Sequence, residues 1–142
     1  MDKTWGEDNQ MIKIINKIAA IILKDKKLLL VRKKSGDILI SPGGMIKENE
    51  TPEQTLKREL KEELDVDLIS KTPFGIFTDK ATYEDAHLIM YTYFVETKGD
   101  FKPKSEIESF EWIGKDYKKN NVKVASILEK FVIPKLIEMK LM

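Results

Sequence analysis

Apolar residues come in short blocks along this chain, and their spacing changes character several times. Ile12 to Leu23 is rich in isoleucine and predicts a strand. A polar turn, Lys24-Asp25-Lys26-Lys27, separates it from Leu28–Arg32, a second strand, so the pair predicts a hairpin. Ser35-Gly36-Asp37 makes another turn before a short strand, Ile38–Ser41, and Pro42-Gly43-Gly44 then breaks the pattern. Thr51 suits a helix N-cap, Pro52 the first helical position and Glu53 the first turn, which predicts a helix running to Leu64. Strands follow over Ile69–Phe77 and Leu88–Glu96. The second is apolar on both of its alternating faces, which predicts a central strand covered on both sides. After a loop from Lys98 to Ser105 come a short strand, Phe110–Ile113, and a helix, Val122–Ile133, which Pro134 interrupts or restarts. The closing Leu-Ile-Glu-Met-Lys-Leu-Met is amphipathic and is expected to pack on the sheet or on a partner. This order predicts an α+β fold, an α/β/α sandwich with a mixed sheet between helices. Residues 1–11 read as a flexible tail and 12–142 as a single domain.

Composition narrows the function classes. A chain of 142 residues with 42% hydrophobic and 35% charged residues can bury one real core under a charged surface. The net charge of +1 provides no overall field toward nucleic acid or membrane, so charge-based chemistry must come from local clusters. There are no cysteines, which excludes disulfides, thiolate zinc sites and cysteine nucleophiles. The opening MDKTWGEDNQ is polar and unlike a signal peptide, and Ile18–Leu23, closed by Lys17 and Lys24, is too short to span a bilayer. A cytoplasmic protein is expected. His87 is the only histidine, so neither a serine–histidine triad nor a histidine metal pair can form; as a partly buried strand-edge residue it needs no function. Trp112 is more often core than a base-stacking platform, as are Phe77, Tyr83 and Tyr117.

The local cluster is LKRELKEEL, residues 56–64. At about 100° per residue, Leu56, Leu60 and Leu64 form one buried stripe. Glu59, Glu62 and Glu63 lie within roughly 100° of arc beside it. Like charges three and four residues apart cost about 0.2–0.5 kcal/mol per pair. A hard divalent cation reverses that sign, because magnesium takes carboxylate oxygens, keeps some waters and adds substrate phosphate. Arg58 can hold a carboxylate such as that of Glu62 four residues on, and the Gly43-Gly44 turn admits close approach of backbone to a ligand. Taken alone, such a string is more often a solvated acidic face or a scrap of coiled coil.

The string does not stand alone. Gly44, Glu50, Arg58-Glu59-Leu60 and Glu62-Glu63 occur at the spacing G-x5-E-x7-R-E-U-x-E-E-x-G-U, with Leu60 and Val66 at the aliphatic (U) places. A chance match is on the order of 10⁻⁸ per start point. The segment resembles the Nudix box. Asp65 departs from it, standing where that pattern has glycine, a place expected to be left-handed. The resemblance extends over the flanking strands, a Glu106-Ile107 pair shortly before Trp112, and the C-terminal helix.

What the resemblance implies is hydrolysis of a nucleoside diphosphate linked to another moiety, with Mg2+ as cofactor and Mn2+ as a substitute. Glu59, Glu62 and Glu63 are then the metal carboxylates, joined by the Gly44 carbonyl. Arg58 orients a glutamate, and Glu50 braces the loop. The water-activating base is Glu106 or, as its rival, Glu59. Gly43, Gly44 and Arg32 are expected at the substrate. The expected partner is a small-molecule nucleotide, with no nucleic-acid polymer and no membrane; a homodimer is open. A nucleoside triphosphate, ordinary or oxidised, cleaved to monophosphate and pyrophosphate as in MutT-like enzymes, is the leading substrate. Nucleotide sugars, ADP-ribose, dinucleoside polyphosphates and a non-catalytic nucleotide-binding module are the alternatives.

Overall fold

A computed structural model describes the backbone of residues 2–5 and 11–142 and the side chains of 12–142. Its strands form two sheets. In the larger, β1 (Asp2–Trp5), β2 (Met11–Ile21), β7 (His87–Lys98) and β6 (Asp67–Lys80) lie in that order, and the short β5 (Gly43–Met45) also pairs with β2. The pairing of β2 with β7 is parallel, from Ile14 opposite His87 to Ile21 opposite Phe94, and the other pairings are antiparallel. β3 (Leu23–Lys24), β4 (Lys27–Lys33) and β8 (Ile107–Ile113) make the smaller antiparallel sheet. The isoleucine-rich segment therefore leaves one sheet at Ile21 and enters the other at Leu23. With helix α1 (Pro52–Leu64) and α2 (Ile133–Glu138) added, the fold is α+β with a mixed sheet, as expected.

The helix α1 has the predicted bounds, and its caps show why. The Thr51 hydroxyl accepts from Gln54 N at 3.2 Å while the Gln54 side chain accepts from Thr51 N at 2.9 Å, a reciprocal capping box that satisfies two otherwise orphaned donors. Leu56, Leu60 and Leu64 are fully buried, each contributing about 1.5–3 kcal/mol of apolar transfer. Asp65 ends the helix in the left-handed region at φ 57°, its N–H reaching back to Leu60 and Lys61. The cap geometry expected of the missing glycine is thus present with aspartate in its place.

Some expectations shift. Asp2–Trp5, placed in the tail by pattern, pairs with β2; the rest of that tail, Met1 and residues 6–10, lies outside the described residues. Ile38–Ser41 does not form a ladder. Ile40 bridges Val31 while Leu39 bridges Val124, so successive residues are claimed by different partners. That second bridge also delays the last helix, because Val124 is held extended and helical backbone begins at Ser126. A π turn over Leu128–Val132 then leads without a break into α2, so Pro134 sits inside a continuous helical run, where its missing N–H removes one helical bond. β7 does lie inside its sheet, but only Leu88, Met90 and Thr92 are fully buried. His87, expected to be partly buried, is exposed at its start. Among the described residues, no helix is long and apolar enough to cross a membrane.

Candidate active site

Beside α1 lies a cleft of about 630 Å³. Its lining includes the Gly43-Gly44 turn with Glu59, Glu63 and Glu106, and apolar groups of Ile15, Leu88, Met90 and Ile127; along β2 the turn lies opposite Ala19 and Ile18, and Leu88 lies opposite Ile15, three residues from Ile18. The pattern puts α1 beside the turn because β5 is pinned to β2, with Gly43 opposite Ala19 and Gly44 opposite Ile18. The two glycines serve different ends, Gly43 the backbone and Gly44 the space for Glu59. Gly43 has φ 138°, and a side chain there would run into the Ile18 carbonyl oxygen. A Cβ on Gly44 would lie 2.8 Å from Glu59 Oε2 and closer still to its other carboxyl atoms.

The carboxylates differ in their surroundings. Glu63 is only 4% exposed, and its Oε1 accepts from Gly43 N at 2.7 Å. Burial pushes its pKa up to about 7, against the opposing pull of the Lys17 ammonium and the Gly43 N–H; Glu59 and Glu106 add to the rise. Burial also raises Glu59, while Arg58 opposes that rise, its Nη1 donating to Glu59 Oε1 at 2.6 Å. Arg58 grips Glu50 with two bonds, Nε to Oε2 at 2.7 Å and Nη2 to Oε1 at 2.8 Å, and donates to the Met45 carbonyl at 3.2 Å. This fork holds the Glu50 carboxyl down to about 2. Glu50 also accepts from Lys47 N and the Thr55 hydroxyl, so it braces the loop as expected.

The expected site residues therefore divide. Gly43, Gly44, Glu59, Glu63 and Glu106 meet in the cleft, and Arg58 stands behind Glu59. Glu62 does not line the cleft; its side chain is 50% exposed and only 3.5 Å from Arg58 Nη1, so the arginine favours Glu50 and Glu59 over its neighbour four residues on. Arg32 is drawn away as well, donating to Glu111 at 2.6 Å and the Asp37 carbonyl at 2.8 Å. Trp112 packs edge-on against Phe101, 5.8 Å between ring centroids, and does not line the cleft, whereas Tyr83 does. Three lysines also line the cleft, Lys17, Lys33 and Lys47, and sequence reasoning places neither Lys17 nor Lys33 there. The only local sign of Lys17 is its place as one of two lysines in an otherwise largely apolar strand.

The donors suit a hard divalent cation. Glu59 and Glu63 offer carboxylate oxygens next to the bare backbone of Gly44, in a cradle that a Cβ would fill. Among the described residues, no three acidic or histidine groups are placed together to hold a metal ion. An ion that keeps waters and takes phosphate oxygens needs only one or two carboxylates.

Comparison with known proteins bears on the family and the fold. A family profile described as the NUDIX domain matches residues 15–124. No curated protein matches the chain. Among solved structures, the fold is shared with the E. coli ORF135 protein at 24% identity and TM-score 0.63, covering 87% of this chain and 92% of that one. It is shared with a MutT structure from work on Aliivibrio salmonicida and Vibrio cholerae at 20% identity and TM-score 0.70, covering 89% and 99%. A bifunctional NMN adenylyltransferase/ADP ribose pyrophosphatase from Francisella tularensis, complexed with AMP and Mn ion, matches at 17% identity and TM-score 0.67 over 90% of this chain and 42% of that one. With the family profile spanning most of the chain and the whole of α1, the chain belongs to the NUDIX domain family and is a hydrolase of phosphoric anhydride bonds.

Proposed function

We propose that this protein is a Mg2+-dependent pyrophosphohydrolase that converts a nucleoside triphosphate to its monophosphate and pyrophosphate, with Mn2+ able to replace Mg2+. The observation that carries this reading is one cleft lined both by carboxylates beside a bare glycine turn and by apolar groups, dimensioned for a single small nucleotide. Glu59, Glu63 and the Gly44 carbonyl would hold the cation, with the half-exposed Glu62 close enough along α1 to join through water. Bound there, the cation neutralises the diphosphate and acidifies water. Arg58 opposes the burial-driven rise of Glu59 and holds it toward the turn, while its other edge is locked by Glu50. Glu106 takes the proton of the attacking water as the new P–O bond forms and the anhydride P–O bond breaks. It is the better base than Glu59, whose carboxylate is already committed to a guanidinium. The absence of cysteine accords with a cytoplasmic setting.

The test is a hydrolysis screen in Mg2+ over ordinary and oxidised nucleoside triphosphates, nucleotide sugars, ADP-ribose and dinucleoside polyphosphates, with products identified by mass. Monophosphate plus pyrophosphate from a triphosphate, lost in Glu63→Gln, is the expected result. Preferred cleavage of a nucleotide sugar or ADP-ribose would reassign the substrate, and tight binding without product would make the protein a nucleotide-binding module.

A further inference from the structure

Two like charges share the cleft floor. Lys17 of β2 and Lys33 at the end of β4 both line it, and they stand near enough that Lys33 helps to loosen the Lys17 proton. Lys33 is held over the Tyr83 ring, 5.6 Å from its centroid. Lys17 donates to the Ser41 carbonyl at 3.0 Å, which uses one of the three donors of an ammonium. Burial lowers its pKa, and the charges of Glu63, Glu59 and Glu106 oppose that fall. In register, Lys17 is opposite Met90, and its same-face neighbour Ile15 is opposite Leu88. Lys17 therefore stands along β2 between the partners of the glycine turn and the apolar Ile15–Leu88 pair. The Ser41 hydroxyl, in a residue 2% exposed that also lines the cleft, has no hydrogen-bond partner among the described residues. Lys17 keeps donors beyond its bond to the Ser41 carbonyl, and with Lys33 and the unpartnered Ser41 hydroxyl on the same lining it offers an anion a charge and a hydrogen-bond donor beside the carboxylates.

We propose that Lys17, assisted by Lys33 and the Ser41 hydroxyl, binds the phosphate that stays on the organic group, and so sets which phosphorus of the substrate faces the carboxylates. The proposal rests on the hydrolase reading above. A substrate lying from carboxylates to apolar wall passes Lys17 with the phosphate adjoining its organic group.

The experiment is equilibrium binding by calorimetry, in chelator, of the four common nucleoside 5′-monophosphates and the four matching nucleosides to wild type, Lys17→Met, Lys17→Arg and Lys33→Met. Lys17→Met should weaken the best-bound monophosphate at least tenfold and leave its nucleoside within twofold. Lys17→Arg should recover most of the loss, and Lys33→Met should weaken the monophosphate about threefold. Lys33→Met leaves the buried lysine in place, so it keeps the test open if Lys17→Met does not fold. Equal losses for monophosphate and nucleoside, unchanged monophosphate binding in both Met variants, or no monophosphate bound by wild type would each overturn the proposal. Because no metal and no turnover are involved, an active enzyme with unchanged binding refutes Lys17 alone. An inactive wild type that binds monophosphate through Lys17 refutes the hydrolase reading alone.

Discussion

Glu63 carries a charge that its surroundings resist. In the metal-free protein its pKa lies near 7 rather than at 4.5, so between those values the folded state holds a proton that the unfolded chain releases. Stability should then fall as pH rises from about 4.5 to about 7. Urea melts in chelator across that window should show the slope, and Glu63→Gln should flatten it. Arg58 is the opposite case, with every arm of its guanidinium engaged. Arg58→Ala leaves Glu50 and Glu59 unpaired and should cost about 2–4 kcal/mol, measured by the same melts. Arg58→Lys should recover little, since an ammonium cannot reproduce the fork on Glu50. The acid cluster was legible in sequence because helical spacing alone puts it on one face. Which acid is buried was not, since residue spacing fixes an angle about the helix axis and says nothing of what packs there.

At the scale of elements, the helix ends are set by local chemistry and can be tested locally. Asp65 occupies a left-handed cap, with Lys104 at 3.4 Å as the main cause of its lowered pKa and Lys61 at 3.6 Å adding to it. Asp65→Gly trades relief of backbone strain against the loss of exposed ion pairs, so stability should stay within about 1 kcal/mol. Asp65→Val should cost about 1–2 kcal/mol, because a β-branched residue resists φ > 0; thermal denaturation of the pair distinguishes them. In β5, Gly44→Ala should displace the Glu59 carboxylate and lower kcat at least tenfold with the fold retained, as judged by circular dichroism beside the kinetic assay. The strand at 38–41 and the late helix start show the limit of local patterns. Leu39 and Val124 have sequences suited to regular elements, but each is claimed by the other across the molecule.

For the molecule as a whole, the cleft exists only because β5 ties the turn to β2 and the parallel β2–β7 pair supplies its floor. A cation bound there stabilises only the folded chain. At a hundredfold excess over its Kd the gain is about 2.7 kcal/mol, or roughly 5–10 °C in Tm for a domain of this size. Mn2+ or Mg2+ titration followed by thermal shift should show that rise, and Glu59→Gln with Glu63→Gln should abolish it. No response in wild type would remove the cation from the cleft.

The sequence by itself determined the helix with its caps, the gathering of glutamates beside a leucine stripe, the glycine turn before them and the alternation of strands around them. All of these follow from interactions within a few residues, where spacing is geometry. Only the tertiary structure decided that Glu63 is buried while Glu62 stays outside, that Arg58 grips Glu50 and Glu59, that Arg32 turns to Glu111, and that Lys17 lies under the carboxylates. Those choices are made between strands and loops far apart along the chain, by which groups lose water together and which charges they then find beside them.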